Sequence, residues 1–286
     1  MKNLISYNYF INKANIYKKK NIYIIKYNEE IYELVNIENE EVVKKQYEIT
    51  KNDNNYNKIV LNRNNEIITN YNNKKYVLIK KINHKVNILN TLLNRNNIYM
   101  NEYKNKKWSE LWSKKIDYIE IHNNYYIGEY KLIDESINYY LGMTETAISY
   151  INYNQQNNNN EEYYLSHKRI NENDFSNPLN VILDYKERDY AEYLKYLFFS
   201  NEYKKVNIEE IIKKYKLTYS GAIKLYSRLL YPEYYYDLYE KIIRKEIKEI
   251  ELKKILIRID EYELYLKKIY DILENNNIVI PQIEWL

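Results

Sequence analysis

Short apolar runs fenced by asparagine occupy the first part of the chain. Asn21–Lys26 (NIYIIK) and Ile31–Ile37 (IYELVNI) are Ile/Tyr-rich runs separated by YNEE, which predicts a β-hairpin. Glu38–Thr50 sets Val42, Val43 and Tyr47 on one stripe and predicts a helix. Asn52–Asn57 is a polar loop. Lys58–Leu61 (KIVL), Glu66–Thr69 (EIIT) and Lys75–Ile82 (KYVLIKKI) follow as strands between Asn-rich turns. The predicted order is strands, one helix, strands.

After His84 the apolar period lengthens to that of a helix. Val86–Leu93 is a short segment of this kind. Lys106–Asn123 spaces Trp108, Leu111, Trp112, Ile116 and Ile119 by three and four residues, the core face of an amphipathic helix. Ile133–Tyr153 repeats the pattern through Ile137, Tyr140, Leu141, Thr144, Ile148 and Ile151. Gln155–Glu162 is asparagine-rich and predicts an exposed loop. Strand-like pieces, YYLSHKRI and NVILDY, flank Pro178 within Tyr163–Asp184. Arg188–Ser200 begins a helix, with Asp189 in the turn where a carboxylate complements the helix dipole. Ile208–Tyr215 and Tyr219–Leu230 are shorter helices. Glu233–Glu274 is largely helical, with a break expected near Ile255–Asp260. The fold class is therefore α+β, with a β-rich part over residues 1–82 and a helical part over 83–286.

Composition changes this picture little. A chain of 286 residues, 45% hydrophobic and 29% charged, can bury a core as one large domain or two lobes. The mean hydropathy of −0.75 suggests disorder. The 38 tyrosines argue otherwise, because each supplies a large ring with a polar tip. The excess of Asn, Lys, Ile and Tyr is what AT-rich codons produce, so much of it reflects mutational bias. Net charge is +4, from 44 basic and 40 acidic side chains, and that mixture does not call for nucleic acid. Without cysteine there is no disulfide, thiolate metal site or Cys nucleophile. No apolar run approaches the length of a membrane span. The early basic cluster follows the apolar residues, the reverse of a secretory signal. A soluble intracellular protein without a membrane partner is expected.

Glycine is the scarcest informative residue: Gly128, Gly142 and Gly221 are all there are. Phosphate-cradling loops need close backbone approach and often φ > 0. Nothing before residue 128 can supply such a loop through glycine.

Four segments carry a family resemblance: Leu165–Ile170 (LSHKRI), Asp184, Arg188–Lys195 (RDYAEYLK) and Tyr226–Tyr239 (YSRLLYPEYYYDLY). They resemble small-molecule kinases of the aminoglycoside-phosphotransferase type, and in particular the spore-coat-associated YutH/CotS group of Firmicutes. The resemblance spans residues 20–275 and is specific over 163–239. It implies a protein-kinase-like fold with a small β-rich N-lobe (1–82) and a larger helical C-lobe (83–286). It also implies where catalytic groups should stand. The His-Gly-Asp slot reads His167-Lys168-Arg169, so a guanidinium, which cannot accept a proton, replaces the carboxylate. The nucleotide-contacting lysine position holds Val35 or Asn36. Glu41 and Glu48, candidate helix partners for that lysine, are left to face solvent. Asp174 could take the catalytic role only after loop rearrangement. Asn177 or Asn180 matches the magnesium Asn, and Asp184 the magnesium Asp. One amide and one carboxylate make a poor Mg²⁺ site.

Three functional readings follow. The first is a kinase-like protein that has lost catalysis, needing no cofactor. It would act as a structural or assembly component bound to other spore-coat proteins, in the mother-cell cytoplasm or the coat. The second is an active small-molecule phosphotransferase using ATP, magnesium, Asp174 and Asp184. The third is a nucleic-acid-binding replication or regulatory protein of an AT-rich plasmid or virus. It would use a helix-turn-helix over 207–231 with Tyr226 and Arg228 on the second helix; two packed C-lobe helices explain the same rhythm better. Bland roles are expected for most other candidates. His167 packs beneath its loop and hydrogen-bonds backbone, Asp184 caps one, and Trp108 and Trp112 belong to the core. His84 and His122 have no metal spacing. At least one of Tyr234–Tyr236 is buried, and Lys18–Lys20 and Lys104–Lys107 are solvated.

Overall fold

A computed structural model describes residues 1–19, 21–95, 98–99, 107–153 and 162–286. The asparagine-rich loop expected over Gln155–Glu162 lies outside these residues except for Glu162. So do Lys20 and the basic cluster Lys104–Lys107 except for Lys107. Internal packing divides the chain into two units, Met1–Asn97 with Leu165–Leu183, and Ile98–Tyr164 with Asp184–Leu286.

The first unit contains α1 (Lys2–Tyr9), β1 (Asn15–Lys19), β2 (Ile22–Tyr27), β3 (Glu30–Ile37), α2 (Glu40–Thr50), β4 (Lys58–Val60), β5 (Thr69–Tyr71), β6 (Lys74–Lys80) and α3 (Ile88–Leu93). The strands form one antiparallel sheet in the order β1-β2-β3-β6-β4, with β5 also on β6. Strand alternation gives the sheet two apolar faces. Ile25, Tyr32, Leu34, Tyr76 and Leu78 pack with Leu4, Ile5 and Tyr9 of α1. Ile37, Ile59, Val77 and Ile79 pack with Val43 of α2.

Asparagine performs here a task usually given to glycine. The β2–β3 hairpin closes through Asn28 and Glu29, at φ of 46° and 64°. The β5–β6 hairpin closes through Asn72 and Asn73, at 48° and 59°. Two-residue loops with both residues at positive φ match the twist of paired strands, and Asn tolerates that region better than most side chains.

Three expectations for this unit need correction. It holds two described helices before residue 83, not one, because α1 buries Leu4, Ile5 and Tyr9 against the sheet. On α2, Val42 is exposed, and Gln46 takes the inward position beside Val43. The strand expected at Glu66–Thr69 begins only at Thr69, since Glu66 closes a turn whose amide donates to Asn62 Oδ1.

Between and beyond these elements lie β7 (Ile98–Tyr99), β8 (Tyr163–His167) and β9 (Val181–Asp184), a small sheet of order β7-β8-β9. The second unit is helical: α4 (Trp108–Asn123), α5 (Lys131–Tyr153), α6 (Lys186–Phe199), α7 (Ile208–Tyr215), α8 (Tyr219–Leu230), α9 (Glu233–Ile243), α10 (Lys253–Leu256) and α11 (Ile259–Asn275). Asn207 and Thr218 cap α7 and α8 by accepting the amides of Glu210 and Gly221. On α4, Trp108, Trp112, Ile116 and Ile119 are buried as expected, but Leu111 is 43% exposed. The long helix expected over Glu233–Glu274 also breaks earlier, after Ile243.

Tyrosine builds this second core. Tyr140 stacks on Tyr235 with ring centroids 3.9 Å apart, and Tyr190 stacks on Tyr215 at 3.9 Å. The buried hydroxyls of Tyr226, Tyr262 and Tyr265 donate to the carbonyls of Leu266, Leu229 and Leu194. A ring that satisfies its hydroxyl can be buried, which is why the low mean hydropathy coexists with a packed interior.

Candidate functional site

The family resemblance expects a nucleotide-contacting lysine at Val35 or Asn36 of β3, a strand with one face packed against α2. Val35 lies on that face and packs with its apolar cluster, whereas Asn36 is exposed on the other side. The charged side chain that alternation puts on the same face is Glu33, an anion, paired with Lys81 at 3.0 Å. Glu41 is exposed, and Glu48 pairs with Lys51 on the surface of α2. The inward polar group of α2 is Gln46. Its amide nitrogen donates to the carbonyls of Leu179 (3.0 Å) and Val181 (2.8 Å), fastening the helix to the start of β9. Nothing in the sequence singled out Gln46 except its three-residue spacing from Val43.

His167 ends β8 and is fully buried. Its ring stacks on Phe175 (centroids 4.3 Å apart) and on Tyr56 (5.8 Å). Nε2 is 3.1 Å from the Tyr56 hydroxyl, and Nδ1 faces the Arg95 guanidinium at 3.4 Å. His167 is buried as expected, and the contacts described for its ring are with the side chains of Tyr56, Arg95 and Phe175.

The loop after His167 is closed by Asn180. Its Nδ2 donates to the carbonyls of Arg169 (2.7 Å) and Asp174 (3.1 Å), and its Oδ1 accepts the Arg169 amide (3.3 Å). The backbone returns the favour, the Lys168 amide donating to the Asn180 carbonyl at 2.9 Å. Asn177 caps the turn at Pro178–Asn180 by accepting the Leu179 amide. Asp174 sits on the exposed side of the loop, where Asn171 Nδ2 donates to its carboxylate at 3.0 Å. His167, Arg169, Asp174 and Asn180 are thus joined in one loop whose polar groups hold its own shape.

In the second unit Asp184 lies at the entry to α6, only 7% exposed. Its Oδ1 accepts from the Trp108 indole (2.9 Å) and the Tyr185 amide (2.8 Å), and its Oδ2 accepts from Arg188 (2.8 Å). The two oxygens are engaged by a cation four residues on, a helix-start amide and an indole N–H. Trp108 and Trp112 stack at 5.4 Å behind it.

A second cluster in this unit was not anticipated. Glu192 and Lys195 of α6, Arg228 of α8 and Glu233 of α9 are all at most 4% exposed. Arg228 Nε and Nη2 donate to Glu192 Oε1 at 2.9 and 2.7 Å. Lys195 donates to Glu233 (2.7 Å) and to the carbonyls of Arg228 (2.6 Å) and Tyr231 (2.8 Å). Desolvation pulls Lys195 down to about 8, with Glu233 and Glu192 opposing. The signal lay in the RDYAEYLK and SRLLYPE segments, where charges stand among core-facing positions. The same burial corrects the DNA reading of 207–231. Tyr226 and Arg228, the side chains expected to reach a groove, are 1% and 3% exposed and bonded inside the protein.

The remaining histidines behave as single residues. His84 is exposed, and half-buried His122 stacks on Tyr118 at 5.1 Å with Nδ1 3.4 Å from the Tyr239 hydroxyl. Among the described residues no three His, Cys, Asp or Glu side chains gather as metal ligands, and no helix is long and apolar enough to cross a membrane.

Comparisons with known proteins show the family and the fold. The family model described as "Spore coat putative kinase YutH" matches residues 2–269. The endospore coat-associated protein YutH of Bacillus subtilis is 25% identical over 206 residues, covering 63% of this chain and 61% of that protein. An aminoglycoside phosphotransferase of Alicyclobacillus acidocaldarius superposes with a TM-score of 0.58 at 8% identity, over 96% of each chain. A spectinomycin phosphotransferase superposes with a TM-score of 0.54 at 12% identity, over 79% of this chain and 82% of the other. These superpositions establish the fold as the kinase-like one expected from the sequence. With a family match that runs from residue 2 to residue 269, the chain belongs to the spore-coat YutH family.

Proposed function

We propose that this chain is a coat-associated, kinase-like protein that assembles with other coat proteins and does not transfer phosphate. The observation that carries the reading is the state of Asp184. Its carboxylate is balanced by Arg188 and shared with Trp108 and the first amide of α6. A magnesium ion demands near-octahedral oxygen ligation and gives up its waters reluctantly, so a carboxylate already matched to a guanidinium fits it badly. Asn180, the other candidate ligand, uses its amide to close the loop. At the position of the catalytic carboxylate stands Arg169, which cannot act as a base. Neither Val35 nor Asn36, the two candidates for the lysine position on β3, can contact phosphates as a cation. Each supports a scaffold that keeps the shape of a phosphotransferase and uses its polar residues for folding. Coat association follows the family and the Bacillus subtilis relative, whose alignment covers 61% of that protein.

The test is phosphotransfer from γ-labelled ATP, with magnesium, to a panel of hydroxyl-bearing small molecules and to the protein itself. No transfer above the buffer rate is expected. A second reading, an active phosphotransferase, rests on Asp174, which presents a carboxylate on the exposed side of the loop after His167. Turnover that disappears in Asp174→Asn or Asp184→Asn would establish that reading and end the first.

A further inference from the structure

The first 28 residues contain six lysines (Lys2, Lys13, Lys18, Lys19, Lys20 and Lys26) and no acidic residue; Glu29 is the first. Three of these lysines, Lys18, Lys19 and Lys26, fall on the β1–β2 hairpin, where β1 is an edge of the sheet among the described residues. Six lysines elsewhere in this unit are ion-paired, while Lys58 and Lys168 donate to backbone carbonyls. Lys44, Lys51, Lys75, Lys80, Lys81 and Lys85 each face a carboxylate. Among the described residues none pairs with Lys18, Lys19 or Lys26.

The hairpin is also ordered for contact. Four of the five β1 residues are exposed. Lys18 lies over the Tyr23 ring at 6.0 Å and Lys26 over Tyr17 at 5.9 Å. The two Lys/Tyr contacts lie on opposite faces of the hairpin. An edge strand offers unpaired N–H and C=O groups to any extended segment. Lysines along it repel neutral self-pairing and cationic strands, and admit a strand that carries the opposite charge.

The geometry points to β1 as a docking edge for an extended acidic segment of a partner protein, which adds to the sheet by strand pairing. Backbone hydrogen bonds supply the pairing; acidic side chains on one face of the added strand meet Lys19, with Lys26 on the same face of neighbouring β2, and those on the other face meet Lys18. The edge is built without Asp184, Asp174 or any other candidate catalytic group, so it stands whether or not phosphate is transferred.

The experiment uses the full chain and a synthetic peptide alternating glutamate and valine. Binding is followed by fluorescence anisotropy across a salt series, and amide hydrogen exchange is read with and without peptide. The expected result is salt-sensitive binding with slowed exchange in residues 15–19. Lys18→Glu, Lys19→Glu and Lys26→Glu together should weaken it at least about tenfold, and the corresponding Gln variants by less. Circular dichroism checks that the variants are folded. The proposal is overturned by absent binding, by protection elsewhere in the chain, or by charge reversal without effect. A single-stranded oligonucleotide binding more tightly than the peptide would likewise replace the acidic strand with nucleic acid.

Discussion

The ammonium of Lys195 lies 2.7 Å from the Glu233 carboxylate, with side-chain exposures of 5% and 6%. Lys195 comes from RDYAEYLK and Glu233 from SRLLYPEYYYDLY, the segments that carry the family resemblance. Arg228 and Glu192, from the same segments, complete the cluster. Much of the motif in this chain therefore specifies how α6, α8 and α9 lock together.

Removing one partner leaves an uncompensated charge in the interior. Lys195→Met is expected to cost about 3–5 kcal/mol in urea unfolding, since breaking a buried pair strands the other ion. Lys195→Met combined with Glu233→Leu should recover a large part of that loss. If the two single changes and the double change add without coupling, the pair contributes nothing specific.

Asp184→Ala should destabilise the second unit by about 2–4 kcal/mol, because it strands Arg188 and the Trp108 indole N–H in a buried site. The emission of Trp108 should shift with it. Asp184→Asn should cost less, since an amide oxygen can still accept from Trp108. Wild-type stability should not change on adding magnesium; a magnesium-dependent rise in melting temperature that Asp184→Asn abolishes would assign the residue to metal binding.

Tyrosine burial sets the alkaline limit. Desolvation, aided by Glu30, pushes Tyr32 up to about 12, and desolvation, aided by Glu162, does the same for Tyr164. Burial raises Tyr140, Tyr226, Tyr235 and Tyr236 further. An unfolded tyrosine ionises near about 10. The folded values are higher, so this stabilisation is complete below about pH 10 and is lost as pH rises towards 12 and beyond. Tyrosinate absorbance should therefore lag at first and then rise steeply together with loss of helix signal. A gradual titration centred near 10 with the helices intact would contradict the packing described.

Gly221 lies in the first turn of α8, and a Cβ built there would come within 2.9 Å of Glu187 Oε1. Burial raises the Glu187 pKa, and Lys224 partly offsets it. Alanine is better than glycine in a helix by about 0.8–1.0 kcal/mol, so steric cost and propensity oppose each other. Gly221→Ala should gain little alone and more once Glu187→Ala removes the nearer obstacle, short of the full amount because Thr218 Oγ1 stays 3.3 Å from the Cβ. Equal gains in both backgrounds would show that Glu187 imposes no constraint.

Some of this was legible in the residues themselves. The limits of α7 and α8 follow from Asn207 and Thr218, whose short polar side chains mark helix starts by local bonding. The strands β2, β3 and β6 follow from apolar runs ended by Asn turns. α1 was not legible, because KNLISYNY is short and its apolar residues acquire meaning only against the sheet. Leu111 misled because spacing alone cannot say how wide the buried stripe on α4 is. In the candidate site, the His167-Lys168-Arg169 run can be read from the sequence, and its equivalence to a catalytic loop rests on the family resemblance. That Trp108, distant along the chain, occupies Asp184 cannot be read there, because it depends on packing between remote segments.

Calorimetric titration of the full chain with ATP in the presence of magnesium tests the central claim most directly. The account predicts no saturable heat up to about 1 mM nucleotide, the same with magnesium and with chelator. Saturable, magnesium-dependent binding that Asp184→Asn removes would contradict it.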